Sequence, residues 1–126
     1  MRTRRRASAF TITAMHPVEI NPGAWYLRAL RADDRIADRP GLAELGEVDA
    51  DYVARRCAQW ANETCYSWAV CEQTTGELLA EVTLDPRTAG LASRARDGHA
   101  GAAEAGEHAV RRFAASVLGH PPMTND

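Results

Sequence analysis

The stretch Tyr66–Asp85, "YSWAVCEQTTGELLAEVTLD", decides how the rest of this sequence is read. Tyr66, Trp68 and Val70 alternate along its first half, and Leu78, Ala80, Val82 and Leu84 along its second. A period of two marks strands that turn one face to a core. Between the halves "EQTTGE" supplies the turn, where Gly76 can take a positive φ that a β-branched residue could not. The pattern predicts an antiparallel hairpin.

Working upstream, "ADYVARRCAQWANET" (Ala50–Thr64) changes to helical spacing. Val53, Cys57, Trp60 and Ala61 fall on one apolar face, and Arg55, Arg56, Gln59 and Asn62 populate the other. Asp49 or Asp51 is positioned to cap it. "DDRIADRPGLAELG" (Asp33–Gly46) reads as a short broken helix with Pro40 at its opening and Gly46 at its close. "AWYLRALRADD" (Ala24–Asp34) alternates Trp25, Leu27 and Ala29 against Tyr26, Arg28 and Leu30, and predicts a first strand.

Downstream of Pro86, "RTAGLASRARDGHAG" has no run of β-branched or aromatic residues, so no further strand is expected there. "AAEAGEHAVRRFAASVLG" (Ala102–Gly119) predicts a helix with Val110, Phe113, Ala114 and Val117 as its apolar stripe. Glu107 and Arg111 form an i,i+4 pair on it, and Gly106 weakens its interior by about 1 kcal/mol relative to alanine. The order strand, helix, helix, hairpin, loop, helix describes an α+β fold with helices on a mostly antiparallel sheet.

Size and composition bound what such a fold can do. A chain of 126 residues with 45% hydrophobic side chains fits one domain with a real core. A net charge of −2 gives no general reason for nucleic acid or anionic lipid as partner. All 15 basic residues are arginine, which we read as coding bias. Cys57, Cys65 and Cys71 are odd in number and form no C-x-x-C pair, so neither a disulfide framework nor a zinc site is expected, and a reducing cytoplasm fits. The four histidines lack ligand spacing, and no apolar run reaches the length of a membrane span. Residues 1–18 read as a flexible arginine-rich tail, 19–119 as the domain and 120–126 as a second tail. No aromatic residues interleave with the charges of Arg2–Arg6, so a nucleic-acid grip by that tail is not expected.

For chemistry, the suggestive element is "RARDGHAGAAEA" (Arg94–Ala105). Small residues let backbone amides approach a ligand, and amides at a helix start suit a phosphate or pyrophosphate. Arg94 and Arg96 could add charge, and His99 could donate to a phosphate, although such loops are also ordinary connections. Glu81 stands on the parity opposite Leu78, Ala80 and Val82, and is read either as a base facing a cleft or as a solvated strand residue. Glu104 is expected in the first helical turn, and Cys71 has no evident base to make it a nucleophile.

Together these segments resemble the GNAT family of N-acetyltransferases, in particular the bacterial branch that modifies protein N-termini or small amines. "WYLRALRADDRIADRP" is similar to that branch's opening strand and first helix, the Tyr66–Asp85 hairpin to its second and third strands, and "RDGHAGAAEA…RRFAASVLG" to its acyl-CoA loop and following helix. The resemblance implies a three-layer α/β/α fold and a cytoplasmic enzyme that takes acetyl-CoA as co-substrate. It further implies a primary amine as acceptor, from a small molecule or a protein N-terminus, attacking the thioester directly while a carboxylate removes its proton. The family motif Q/R-x-x-G-x-G/A maps onto Ala95–Ala100, which gives Arg94, Arg96, Gly98, His99, Ala100 and Gly101 as the cofactor loop. Three departures are expected: Ala95 where the motif has Gln or Arg, no strand before the loop between Pro86 and Ser93, and an incomplete C-terminal part after Gly119. They make a self-associating, non-catalytic remnant, possible as a homodimer, the alternative.

Overall fold

A computed structural model describes residues 16–21 and 23–117. The expected tails therefore lie outside the described residues, apart from 16–18. Four strands, β1 (Trp25–Arg28), β2 (Tyr66–Glu72), β3 (Leu78–Asp85) and β4 (Gly90–Ala95), form one sheet in the order β1-β2-β3-β4. Every neighbouring pair is antiparallel. Helices α1 (Arg39–Glu44) and α2 (Tyr52–Asn62) lie between β1 and β2 in the chain, and α3 (Ala100–Val117) follows β4.

The hairpin is β2 and β3, with Gly76 at φ +72° and its amide donating to the Glu72 carbonyl at 2.7 Å. Its register shifts between Val70 and Cys71. That shift corrects the expected face of Leu78, which packs with Ala69 and Cys71 while Ala80, Val82 and Leu84 pack with Trp68 and Val70. An irregularity in pairing exchanges the faces of the residues beyond it, and the hydrophobic period does not reveal it.

The strand β4 overturns the expectation of none before the loop. Gly90–Ala95 pairs with β3 from Asp85↔Gly90 to Ala80↔Ala95. The tight turn before it holds Ala89 at φ +63°, its amide donating to the Asp85 carbonyl at 2.8 Å. Six residues without a single β-branched or aromatic side chain are a strand here because β3 pairs them and Leu91 and Ala95 pack against the core. Tertiary context outweighs propensity.

Alternate residues of the sheet feed two clusters. One gathers Leu27, Tyr66, Trp68, Val70, Val82 and Leu84 against Val110, Phe113 and Ala114 of α3. Burying each such side chain contributes roughly 1.5–3 kcal/mol. Trp60 of α2 joins it by stacking on Tyr66 at 4.6 Å, and its indole N–H donates to the Ser67 carbonyl. The other gathers Leu30, Leu42, Tyr52, Val53, Ala69, Cys71 and Leu78.

Gly106 has a packing role that helix propensity hides. A Cβ there would lie 2.7 Å from Val70 Cγ2 and 2.9 Å from Val82 Cγ2, so only glycine lets α3 rest this close to β2 and β3. The stripe of α3 ends earlier than expected, since Val117 is exposed. Among the described residues no helix is long and apolar enough to cross a membrane.

A buried ion pair closes the far end of the sheet. Arg28 donates to both carboxylate oxygens of Asp38 at 2.8 Å, and its Nη2 also reaches the Gly76 carbonyl at 3.2 Å. Asp38 accepts the Arg31 amide as well, which is why its side chain is not free to cap α1.

Candidate functional site

Glu81 is neither solvated nor free. It is 2% exposed and points from β3 toward α2, opposite Arg94 in the sheet register. The Tyr52 hydroxyl donates to Glu81 Oε2 at 2.6 Å, Arg94 Nε donates to Oε1 at 2.9 Å, and Arg56 Nε lies 3.6 Å from Oε2. A buried carboxylate is tolerable only with such partners, because desolvation otherwise costs several kcal/mol. This corrects the reading of Glu81 as a solvated strand residue: the sheet is covered on both faces, so either parity leads inward.

The helix α2 supplies two of these partners because Tyr52 and Arg56 are one turn apart on one face. Cys57 and Ala61, expected in its apolar face, are exposed, whereas Tyr52, Val53 and Trp60 are buried and Arg56 is half-buried. The inward face is rotated from the one apolar spacing indicates, since a phenol and a guanidinium occupy it. Arg56 Nε donates to the Tyr52 oxygen at 2.9 Å, and Arg56 Nη1 donates to Gln59 and to the Cys65 sulfur. Burial first, and then the hydrogen bond to Glu81, push the Tyr52 phenol above its ordinary value. It is therefore a proton donor at neutral pH.

These side chains floor an open cavity of about 220 Å³, lined by Glu47, Tyr52, Arg56, Glu81, Thr83 and Arg94 among others. Arg94 Nη2 donates to Glu47 at its rim at 3.3 Å. Arg94 is thus brought together with Glu81, not with the loop residues it was expected to assist. Sequence reading missed Glu47, Tyr52 and Arg56. The signal available was one isolated acid in the apolar run "LLAEVTL", which needs cationic partners if both faces of its strand are covered.

The loop itself is a separate feature. Arg96 turns away from it, donating to Glu77 at 2.7 Å and to the Leu78 carbonyl at 3.2 Å. Gly98 takes φ +82°, and the His99 amide closes the turn on the Arg96 carbonyl at 2.9 Å. Gly98, Ala100 and Gly101 are exposed and His99 half-buried. A Cβ at Gly98 or Gly101 would meet no protein atom within 4 Å, so the space in front of the loop is open. Because α3 begins at Ala100, Glu104 lies beyond its first turn.

The sequence matches no family model and no curated protein. Among solved structures, the chain is similar to one described as a "putative ribosomal-protein-serine acetyltransferase from Vibrio cholerae". The TM-score is 0.66 at 16% identity, over 81% of this chain and 69% of that one. At that identity the likeness is one of fold: an antiparallel four-stranded sheet with helices is shared with a structure described as an acetyltransferase.

Proposed function

We propose that the chain is an N-acetyltransferase of the GNAT family, in three layers, that moves an acetyl group from acetyl-CoA to a primary amine. The observation that carries this reading is the junction of β4 with α3: a sheet strand, a small-residue turn at 96–99 and a helix opening on exposed glycine and alanine, within a fold similar to that of the acetyltransferase structure. The amides of a first helical turn lack intrahelical partners and carry the positive end of the helix dipole. Those around Gly98, Ala100 and Gly101 fit a pyrophosphate, with His99 as a neighbouring donor. Arg94 and Arg96 serve less directly, since both guanidiniums are engaged by carboxylates.

When bound, acetyl-CoA supplies the activated acetyl carbonyl that an amine attacks. The chain's own task is then to place the amine and remove its proton. Glu81 is the base in this reading, and it acts through Tyr52. The phenol oxygen takes a proton from the amine while the phenol proton passes along the 2.6 Å hydrogen bond to Glu81. Arg56 holds the phenol oxygen in line from the other side.

Titration calorimetry with acetyl-CoA tests the reading. Saturable binding, abolished by Gly98→Val, is the expected result, because valine is strained at φ +82° and would fill the open space before the amides. A folded protein that binds no acetyl-CoA would favour the non-catalytic, self-associating alternative.

A further inference from the structure

The cavity above Glu81 carries more than proton removal requires. Arg56 and Arg94 enter it from α2 and β4, their guanidinium carbons 5.0 and 5.4 Å from the centre of the Tyr52 ring. Each keeps one terminal nitrogen uncommitted. Arg56 spends Nε on Tyr52 and Nη1 on Gln59 and Cys65. Arg94 spends Nε on Glu81 and Nη2 on Glu47. Among the described residues Arg56 Nη2 and Arg94 Nη1 have no hydrogen-bond partner, and neither is one of the buried orphan atoms. Both N–H groups remain within reach of a ligand.

We propose that these two groups bind a carboxylate, and that the acceptor is a free amino acid whose amine lies at the Tyr52 oxygen. The amine assignment rests on the acetyl-transfer reading; the carboxylate site does not. Glu47 and Glu81 balance the two arginine charges, so the cavity has no excess charge to draw in anions indiscriminately. What distinguishes a carboxylate is geometry. Two guanidiniums fixed by internal hydrogen bonds flank one phenol, and charge-assisted N–H···O bonds to a planar carboxylate suit that arrangement. Ordering those side chains in advance reduces the cost of binding. An amino acid presents an amine and a carboxylate on one carbon. A protein N-terminus presents an uncharged peptide carbonyl at the same place, and the chain behind it has to leave a cavity of about 220 Å³.

The arginine Nε–H resonances of the full chain report on the site directly. We would titrate the ¹⁵N-labelled protein, without acetyl-CoA, with alanine, glutamate, methionine and arginine, and with the α-amide of each. At least one amino acid is expected to shift the Arg56 and Arg94 signals saturably, with its amide binding at least about tenfold more weakly, the loss of one charged hydrogen bond. Arg56→Gln is expected to weaken that amino acid by about tenfold and Arg56→Lys by less, both read on the Arg94 signal of variants whose amide spectra show them folded. Equal binding of acid and amide, no saturable shift by any of the four, or unaltered affinity in Arg56→Gln would overturn the proposal. Tighter binding by a hexapeptide amide than by the amino acids would move the acceptor to the peptide class and overturn it too. A parallel acetyl-CoA titration separates the two readings. Amino-acid binding without acetyl-CoA binding removes the transferase and leaves the carboxylate site, and the reverse result removes the site alone.

Discussion

Beneath α3 the sheet is mainly apolar, with Ser93 bonded to Glu107 at its β4 edge, while beneath α1 and α2 it is threaded with charge. On the first face Tyr66, Trp68 and Phe113 meet at ring distances of 5.3–6.3 Å, with Val70, Val82 and Val110 filling the space between. On the second, residues next to these in sequence hold Arg28 against Asp38 and Glu81 against Arg94, Arg56 and Tyr52. Apolar contact is non-directional and gives cohesion without dictating where an individual atom lies. Buried ion pairs gain little net stability but fix the position of each group, because a misplaced charge is costly. One face of this sheet therefore supplies cohesion and the other supplies geometry.

The sharpest way to break that division is to damage each face once. Asp38→Ala leaves the Arg28 guanidinium buried and uncompensated and is expected to cost about 3–5 kcal/mol in urea unfolding. Trp68→Ala on the face beneath α3 should cost a similar amount, about 3–5 kcal/mol. The double change Arg28→Met, Asp38→Leu tells them apart. It should recover most of the loss, because an ion pair that serves geometry can be replaced by apolar packing. Failure to recover would mean that the charged face is cohesive in its own right.

A smaller effect is expected from Gly106→Ala. Overpacking against Val70 and Val82 costs about 1–3 kcal/mol, offset by about 1 kcal/mol of helix propensity. A stabilised variant would show that α3 is free to lift from the sheet.

Alkaline titration addresses the charged face next. Burial pushes the Cys71 thiol up to about 11 from 9.0, with Arg28 opposing and Asp38 assisting. The native state holds this proton more tightly than the unfolded chain, so its contribution is intact below pH 9 and is lost as pH rises from 9 toward 11. That is roughly 2–3 kcal/mol. Cys71→Val should flatten the wild-type decline over that interval, and an unchanged slope would reject the assignment.

The smallest effect concerns Arg96→Gln. Its partner Glu77 is exposed, and losing that pair together with the Leu78 carbonyl contact should cost no more than about 1 kcal/mol. A larger loss would give the β4 end a structural role that its ion pair does not indicate.

How much of this was legible in the sequence differs between the two faces in the same way. The hairpin and α3 could be read because Trp68, Val70, Val82, Val110 and Phe113 repeat at the periods of their elements, and the face beneath α3 is built mainly of such residues. The strand β4 could not, since its small residues become a strand only through pairing with β3. The candidate site was half legible. Glu81 and Arg94 were singled out separately, but their meeting depends on the cross-strand register of β3 and β4. Tyr52 and Arg56 were obscured because polar residues on a helix read as its solvent side, and here they turn inward toward a carboxylate.

The notch at Gly106 has a consequence beyond packing. Gly106 lies almost two turns into α3, where the methyl groups of Val70 and Val82 occupy the space a side chain would need. Shifting α3 along its axis by one turn would bring Ala102 or Val110 over those methyls, and neither side chain fits. The helix is thereby indexed, like a shaft on a key, to one longitudinal setting. The turn at 96–99 inherits that setting, so the height at which its amides stand above the sheet is decided by a residue that never meets solvent.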